Sequence, residues 1–155
     1  MVHHAFGKIL GLDFGKVRIG IALSDETRTF AFGKEYIPNN KDTLKYIKSI
    51  VHSEKISDIV LGYPLNLKGE KTAQTLEVES FEEKLKTYMQ NYKLNIIRWD
   101  ERFTSKIAAG SLIESGMKKK KRQIKGNVDI VSAALLLQSY LDSMKMNSER
   151  SEESI

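Results

Sequence analysis

The chain contains no cysteine. Disulfides and thiolate metal sites are therefore excluded, and the expected setting is a reducing one, the cytoplasm. Long apolar runs are also missing, so no membrane span is expected. Residues 1–6 lack the charged region and apolar core of a signal peptide. Proline is scarce, and Pro38 and Pro64 both fall where a periodic segment stops. What remains is 155 residues, 41% of them hydrophobic, enough for one globular core. Residues 1–146 are expected to form a single domain, with 147–155 a polar, disordered tail. The net charge of +5 tilts the chain toward a polyanionic partner.

The most informative stretch runs from Ile9 to Ala22. Ile9, Leu10 and Leu12 form an apolar run of the kind a buried strand shows, and it ends on one acid, Asp13. Gly15 permits a reversal. Val17, Ile19, Ile21 and Leu23 then alternate with Arg18, Gly20 and Ala22, the period of a second strand. A carboxylate at the end of a central apolar strand is costly to desolvate unless a cation offsets it. The plainer alternative is that Asp13 only shapes the turn.

Thr29 to Ile37 reads as a third strand, with Phe30, Phe32 and Tyr36 available for packing. These three strands form an antiparallel meander. Lys41–Glu54 is an amphipathic helix, with Leu44, Ile47, Ile50 and Val51 on one face. Ile56–Tyr63 is a strand that Pro64 ends. A polar loop holding Gly69 leads to a second helix over 72–92, and Leu94–Trp99 makes a fifth strand. Thr104 caps a short helix that Gly116 closes. Asn127 caps the last helix, Val128 to about Met144, whose stripe is Ile130, Ala134, Leu137 and Leu141. This order predicts an α/β fold with a five-stranded mixed sheet flanked by helices.

Three acids stand out. Asp13 and Glu101 each follow the carboxyl end of an apolar strand, where ligands of open α/β sheets bind. Asp129 lies in the first turn of the last helix. Brought together, such acids repel one another unless divalent cations bind them. Oxygen ligands alone favour Mg2+ or Mn2+, and two such ions can activate water against a phosphodiester. The alternative is three unrelated acids: a turn residue, an exposed pair and a partner of the helix dipole. The second signal is a basic run, Lys118, Lys119, Lys120, Lys121, Arg122 and Lys125, just before Asp129. It suits the phosphate backbone of nucleic acid, though such runs are commonly just solvated surface. His3, His4 and His52 carry no assigned role.

Four blocks resemble the YqgF/RuvX family of pre-16S rRNA nucleases and Holliday junction resolvase-like proteins. They are Asp13-Phe14-Gly15-Lys16-Val17-Arg18-Ile19-Gly20; Gly62-Tyr63-Pro64-Leu65-Asn66 with Gly69; Asp100-Glu101-Arg102-Phe103-Thr104-Ser105; and Asp129 through Leu141 with its basic approach. Each block is weak alone, and four in order are specific. The resemblance implies a ribonuclease H-like fold and a metal-dependent nuclease, with Asp13, Glu101 and Asp129 as the metal-binding catalytic acids. Glu101 is preferred to Asp100 because side chains alternate along a strand, so one of the two points inward. Lys16, Arg18 and Arg102 join the basic run as candidate phosphate contacts, with an ion pair the structural alternative for Arg102. The family's opening motif usually has a basic residue where Val17 stands. The implied substrate is ribosomal precursor RNA. The alternatives are branched DNA, cut by a Holliday junction resolvase, or a non-catalytic RNA-binding module. A monomer and a homodimer are both compatible with the sequence.

Overall fold

A computed structural model describes residues 7–103 and 125–153, with side chains over 7–103 and 132–149. Five strands form one mixed sheet. β1 (Lys8–Asp13), β2 (Arg18–Ser24) and β3 (Ala31–Pro38) make the antiparallel meander. β4 (Ile56–Tyr63) and β5 (Asn95–Asp100) add in parallel on the other side of β1. The spatial order is β3-β2-β1-β4-β5. α1 (Thr43–Ser53) connects β3 to β4, α2 (Ala73–Tyr88) connects β4 to β5, and α3 (Lys125–Glu153) closes the described chain.

Alternation along the strands builds two cores. Leu10, Leu12, Ile19, Ile21, Ile59 and Leu61 point to one face, where Ile47, Ile50 and Val51 of α1 and Val78, Phe81 and Leu85 of α2 cover them. Ile9, Ala22 and Val60 point to the other face, under Ala133, Leu137 and Leu141 of α3. Gly11 lets α3 come close, since a Cβ there would stand 3.0 Å from the Leu137 Cβ. The Gln138 amide clips α3 to the β2–β3 connection: its oxygen accepts from Ala31 N (2.8 Å) and its nitrogen donates to Thr29 O (2.9 Å). α2 starts at a capping box in which Thr72 and Thr75 satisfy each other's backbone amides. The Thr75 hydroxyl also donates to the Pro64 carbonyl, which ties the start of α2 to the end of β4.

The structure departs from the sequence expectations in several places. Phe30 and Phe32 are 59% and 60% exposed, and Tyr36 is exposed as well. β3 is an edge strand; Ile37 is its one buried residue, and Ala31 packs partly buried against the α3 core. α3 is already helical at Lys125, so Asn127 lies inside the helix and is not its cap; a cap preference of about 1 kcal/mol is easily overridden. It runs on to Glu153, so the polar residues from Asn147 extend the helix; Glu, Lys and Arg are good helix formers that need no burial. The buried stripe of α3 is Ala133, Leu136, Leu137 and Leu141, with Ala134 only partly covered. The short helix expected after Thr104, and Lys118, Lys119, Lys120, Lys121 and Arg122, lie outside the described residues. Among the described residues no helix is long and apolar enough to cross a membrane.

Candidate active site

β1, β4 and β5 are parallel, so their carboxyl ends share one edge. Strand alternation decides which face of that edge each residue takes. Ile9 and Gly11 of β1 lie under α3, so Asp13, two residues on, takes the same face. Val60 of β4 does likewise, and so does Gly62 two residues later. Trp99 of β5 packs in the α3 core, and Glu101 follows it by two. Asp13, Gly62 and Glu101 are thus side by side on the α3 face.

Gly62 is the clearance for the Glu101 side chain. A Cβ at that position would stand 2.5 Å from Glu101 Oε1, 3.2 Å from its Cγ and 3.3 Å from its Cδ. The Glu101 carboxyl is largely buried, and burial is the main reason its pKa rises from 4.5 to about 7. The charges of Asp13 and then Asp100 push it further the same way. Two acids at the ends of strands that are not neighbours therefore sense each other.

Asp100 goes the opposite way. Its carboxylate is gripped by Arg102, with Arg102 Nε 2.9 Å and Nη2 2.6 Å from Oδ2, and Nε 3.1 Å from Oδ1. This bidentate pair holds Asp100 below the usual carboxylate range. Of the two adjacent acids it is Glu101 that points inward. Arg102 also lies against Gly69, whose φ of +83° places it in the left-handed region. The pair thereby braces the loop after β4 from below. Arg102 is engaged with the protein itself, the ion-pair alternative.

The other sequence candidates are placed as follows. Lys16, in the β1–β2 turn, pairs with Glu77 of α2 at 3.1 Å. Arg18 lies over the Tyr36 ring, 5.4 Å from its centroid. Asp129 falls in α3, one turn in from Lys125. It is therefore not in the first turn, and a helix dipole acts mainly within that turn, so the dipole alternative loses force. α3 passes Gly11 of β1 at Leu137 and meets the β2–β3 connection at Gln138. Asp129 precedes Leu137 by about 12 Å of helix. Asp13 lies about 7 Å of strand beyond Gly11. Among the described residues no group of three His, Cys, Asp or Glu side chains is clustered to hold a metal; the Asp129 side chain is not one of them. The role of Gly62 escaped the sequence reading, and so did Asp100 as the partner of Arg102. The only signal was a glycine at a strand end, which often marks a close approach.

The sequence matches the family described as "RuvX: Holliday junction resolvase" over residues 7–143. The chain belongs to the RuvX family. A relative from Ruminiclostridium cellulolyticum named "Putative pre-16S rRNA nuclease" is 42% identical, over 90% of this chain and 97% of its own. A relative of the same name from Sulfurihydrogenibium is 40% identical, over 92% and 94%. Among solved structures, Thermus thermophilus RuvC in complex with Holliday junction substrate aligns with a TM-score of 0.57 at 10% identity, covering 88% of this chain and 96% of that one. The fowlpox virus resolvase bound to Holliday junction DNA aligns at 0.56 and 14%, covering 88% and 98%. At such identities these two show a shared fold. The resolvase-like fold and the RuvX membership read from the sequence are both borne out.

Proposed function

We propose that this RuvX-family protein is a metal-dependent nuclease that hydrolyses phosphodiester bonds in ribosomal precursor RNA. The observation that carries the reading is the Asp13–Glu101 pair, drawn together on the α3 face at the carboxyl edge, with the Glu101 pKa raised to about 7. A buried acid raised by a neighbouring acid loses its proton readily only when a cation compensates. The donor set fits a hard divalent ion, because both groups offer carboxylate oxygens. Asp13, Glu101 and Asp129 would hold Mg2+ or Mn2+, which supplies charge at the phosphoryl oxygens and activates water.

The chain's own residues do the positioning. Gly62 leaves room for the Glu101 carboxyl beside Asp13. Asp100 and Arg102, locked together, fix the backbone on both sides of Glu101. Phe14, stacked on Phe81 with centroids 4.9 Å apart, anchors the turn that follows Asp13. Lys16, Arg18 and the basic run Lys118–Lys125 supply positive charge toward the backbone of the substrate. The RNA reading draws on the names of the relatives, which share far more sequence with this chain than the DNA-bound resolvases do.

The test compares the wild type with Asp13→Asn on ribosomal precursor RNA and on four-way DNA junctions, each with Mg2+ or Mn2+. The expected result is RNA cleavage that the substitution abolishes. Undiminished cleavage by the variant would remove Asp13 from the mechanism. Preferential junction cutting would replace the RNA reading with the resolvase one.

A further inference from the structure

Three loops rim the edge that carries Asp13 and Glu101, and each exposes one large apolar side chain. Val17, in the β1–β2 turn, is 68% exposed; Leu67, after β4, is 95% exposed; Phe103, just after Arg102, is 56% exposed. Single exposed apolar residues are ordinary on any surface. Here the topology brings all three to loops at the one sheet edge that carries the pair of acids.

The patch is also preorganised. Leu67 sits on a tight turn whose shape Asn66 fixes: Asn66 Oδ1 accepts from Lys68 N and Glu70 N, each at 2.9 Å. The Asn66 carbonyl accepts from Gly69 N at 2.9 Å, and Leu65 bridges to Lys71 across the base of the loop. The Arg102 guanidinium lies under Gly69. Phe103 stacks on Trp99 with centroids 5.7 Å apart, and Trp99 in turn meets Tyr140 edge-on at 5.4 Å. The backbone of the Leu67 turn and the Phe103 ring are thus held before a ligand arrives.

The charges along this edge point the same way. Lys16 is matched by Glu77, Lys71 by Glu79, Arg98 by Glu82 and Arg102 by Asp100. Each of these four cations has an anionic partner in the protein, which lessens but does not abolish its pull on a phosphate, whereas the three apolar side chains face solvent. A continuous duplex would offer the patch only phosphates and sugars, which gain nothing from it. A strand with unpaired bases can turn them outward, and a base face covers apolar side chains well.

We propose that Val17, Leu67 and Phe103 form a rim that receives unpaired bases of the substrate strand beside the scissile phosphate. Single-stranded or locally opened nucleic acid is then the substrate class. This rests on the nuclease reading above.

The test uses the full chain carrying Asp13→Asn, so that substrate stays intact. Binding of a labelled oligoribonucleotide is measured by fluorescence anisotropy, alone and annealed to its complement. Leu67→Ser and Val17→Ser each weaken binding of the unpaired strand roughly fivefold and change duplex binding by less than about twofold. Leu67→Trp tightens binding of the unpaired strand, a gain that misfolding cannot produce. Equal losses on the two substrates, or none, overturn the rim while leaving the nuclease reading intact. If the protein with Asp13 intact cuts neither substrate in Mg2+, the nuclease reading falls and the rim falls with it.

Discussion

Replacing Gly62 by alanine should separate the fold of this protein from its chemistry. The new Cβ would sit 2.5 Å from Glu101 Oε1 and 3.2 Å from its Cγ. Ordinary contact begins at 3.4 Å, so the carboxyl must retreat by about 0.9 Å. The atom that yields is the far end of a flexible side chain, so the sheet need not move. Gly62 has no positive φ to lose. The stability change should stay within about 1 kcal/mol. A displacement near 1 Å of a positioned catalytic group costs roughly 100-fold in rate. Single-turnover cleavage of precursor RNA in saturating Mg2+ measures this directly, with thermal unfolding as the control for folding. The pH profile adds a second reading, because a Glu101 carboxyl moved away from Asp13 loses part of what raises its pKa. Its ionisation should then shift to lower pH. Cleavage within a factor of about three of wild type, in a folded variant, would refute the idea that Glu101 works from its place over Gly62.

Other expectations follow from the same site. Without divalent ions, the Glu101 pKa rises from 4.5 in the unfolded chain to about 7 in the folded one, so its contribution to stability is complete below pH 4.5 and lost as pH climbs through 7. The loss approaches about 3 kcal/mol, visible as a falling melting temperature between pH 5 and pH 8. Glu101→Gln should flatten that slope. Mg2+ should raise the melting temperature more at pH 8 than at pH 5, and chelation should reverse the gain. Arg102→Ala should cut the turnover rate roughly tenfold without changing the salt dependence of binding, because the guanidinium is held by Asp100. Arg102→Lys should not restore the rate, since a single ammonium cannot reproduce the fork. A shallower salt slope in Arg102→Ala would instead make it a phosphate contact.

Much of this site could be read from residue order alone, and the reasons are local. β4 was legible to the residue, because Ile56–Tyr63 is apolar and Pro64 stops it. That one of Asp100 and Glu101 points inward followed from strand alternation, and the longer reach of Glu favoured Glu101. What stayed hidden depends on pairing. The clearance at Gly62 exists only because β4 lies beside β5 in parallel, with Gly62 opposite Trp99. The exposure of Phe30 and Phe32 follows from β3 being an edge, a property of strand order that no pattern inside β3 encodes. The Asp100–Arg102 pair was left as one of two alternatives for Arg102, since a guanidinium next to an acid in sequence can serve either the protein or a phosphate.

The third acid depends on how closely one helix lies against one strand. α3 passes over β1 at Gly11, where a Cβ would stand 3.0 Å from the Leu137 Cβ and 3.4 Å from its Cδ2. The nearest atom is the root of a buried side chain, so an alanine at Gly11 must shift the helix by a few tenths of an ångström. Overpacking of this kind costs about 1–3 kcal/mol. The same displacement shifts α3 along with Asp129, which the proposed function makes the third ligand of the ion. Gly11→Ala should therefore lose more activity than its stability loss explains, and should need a higher Mg2+ concentration for half-maximal cleavage. Leu137→Ala provides the contrast: it costs about 2–5 kcal/mol by leaving a cavity but does not push the helix outward, so its Mg2+ requirement should stay near that of the wild type. A Mg2+ titration of Gly11→Ala that overlays the wild type would mean that Asp129 takes no part in holding the ion.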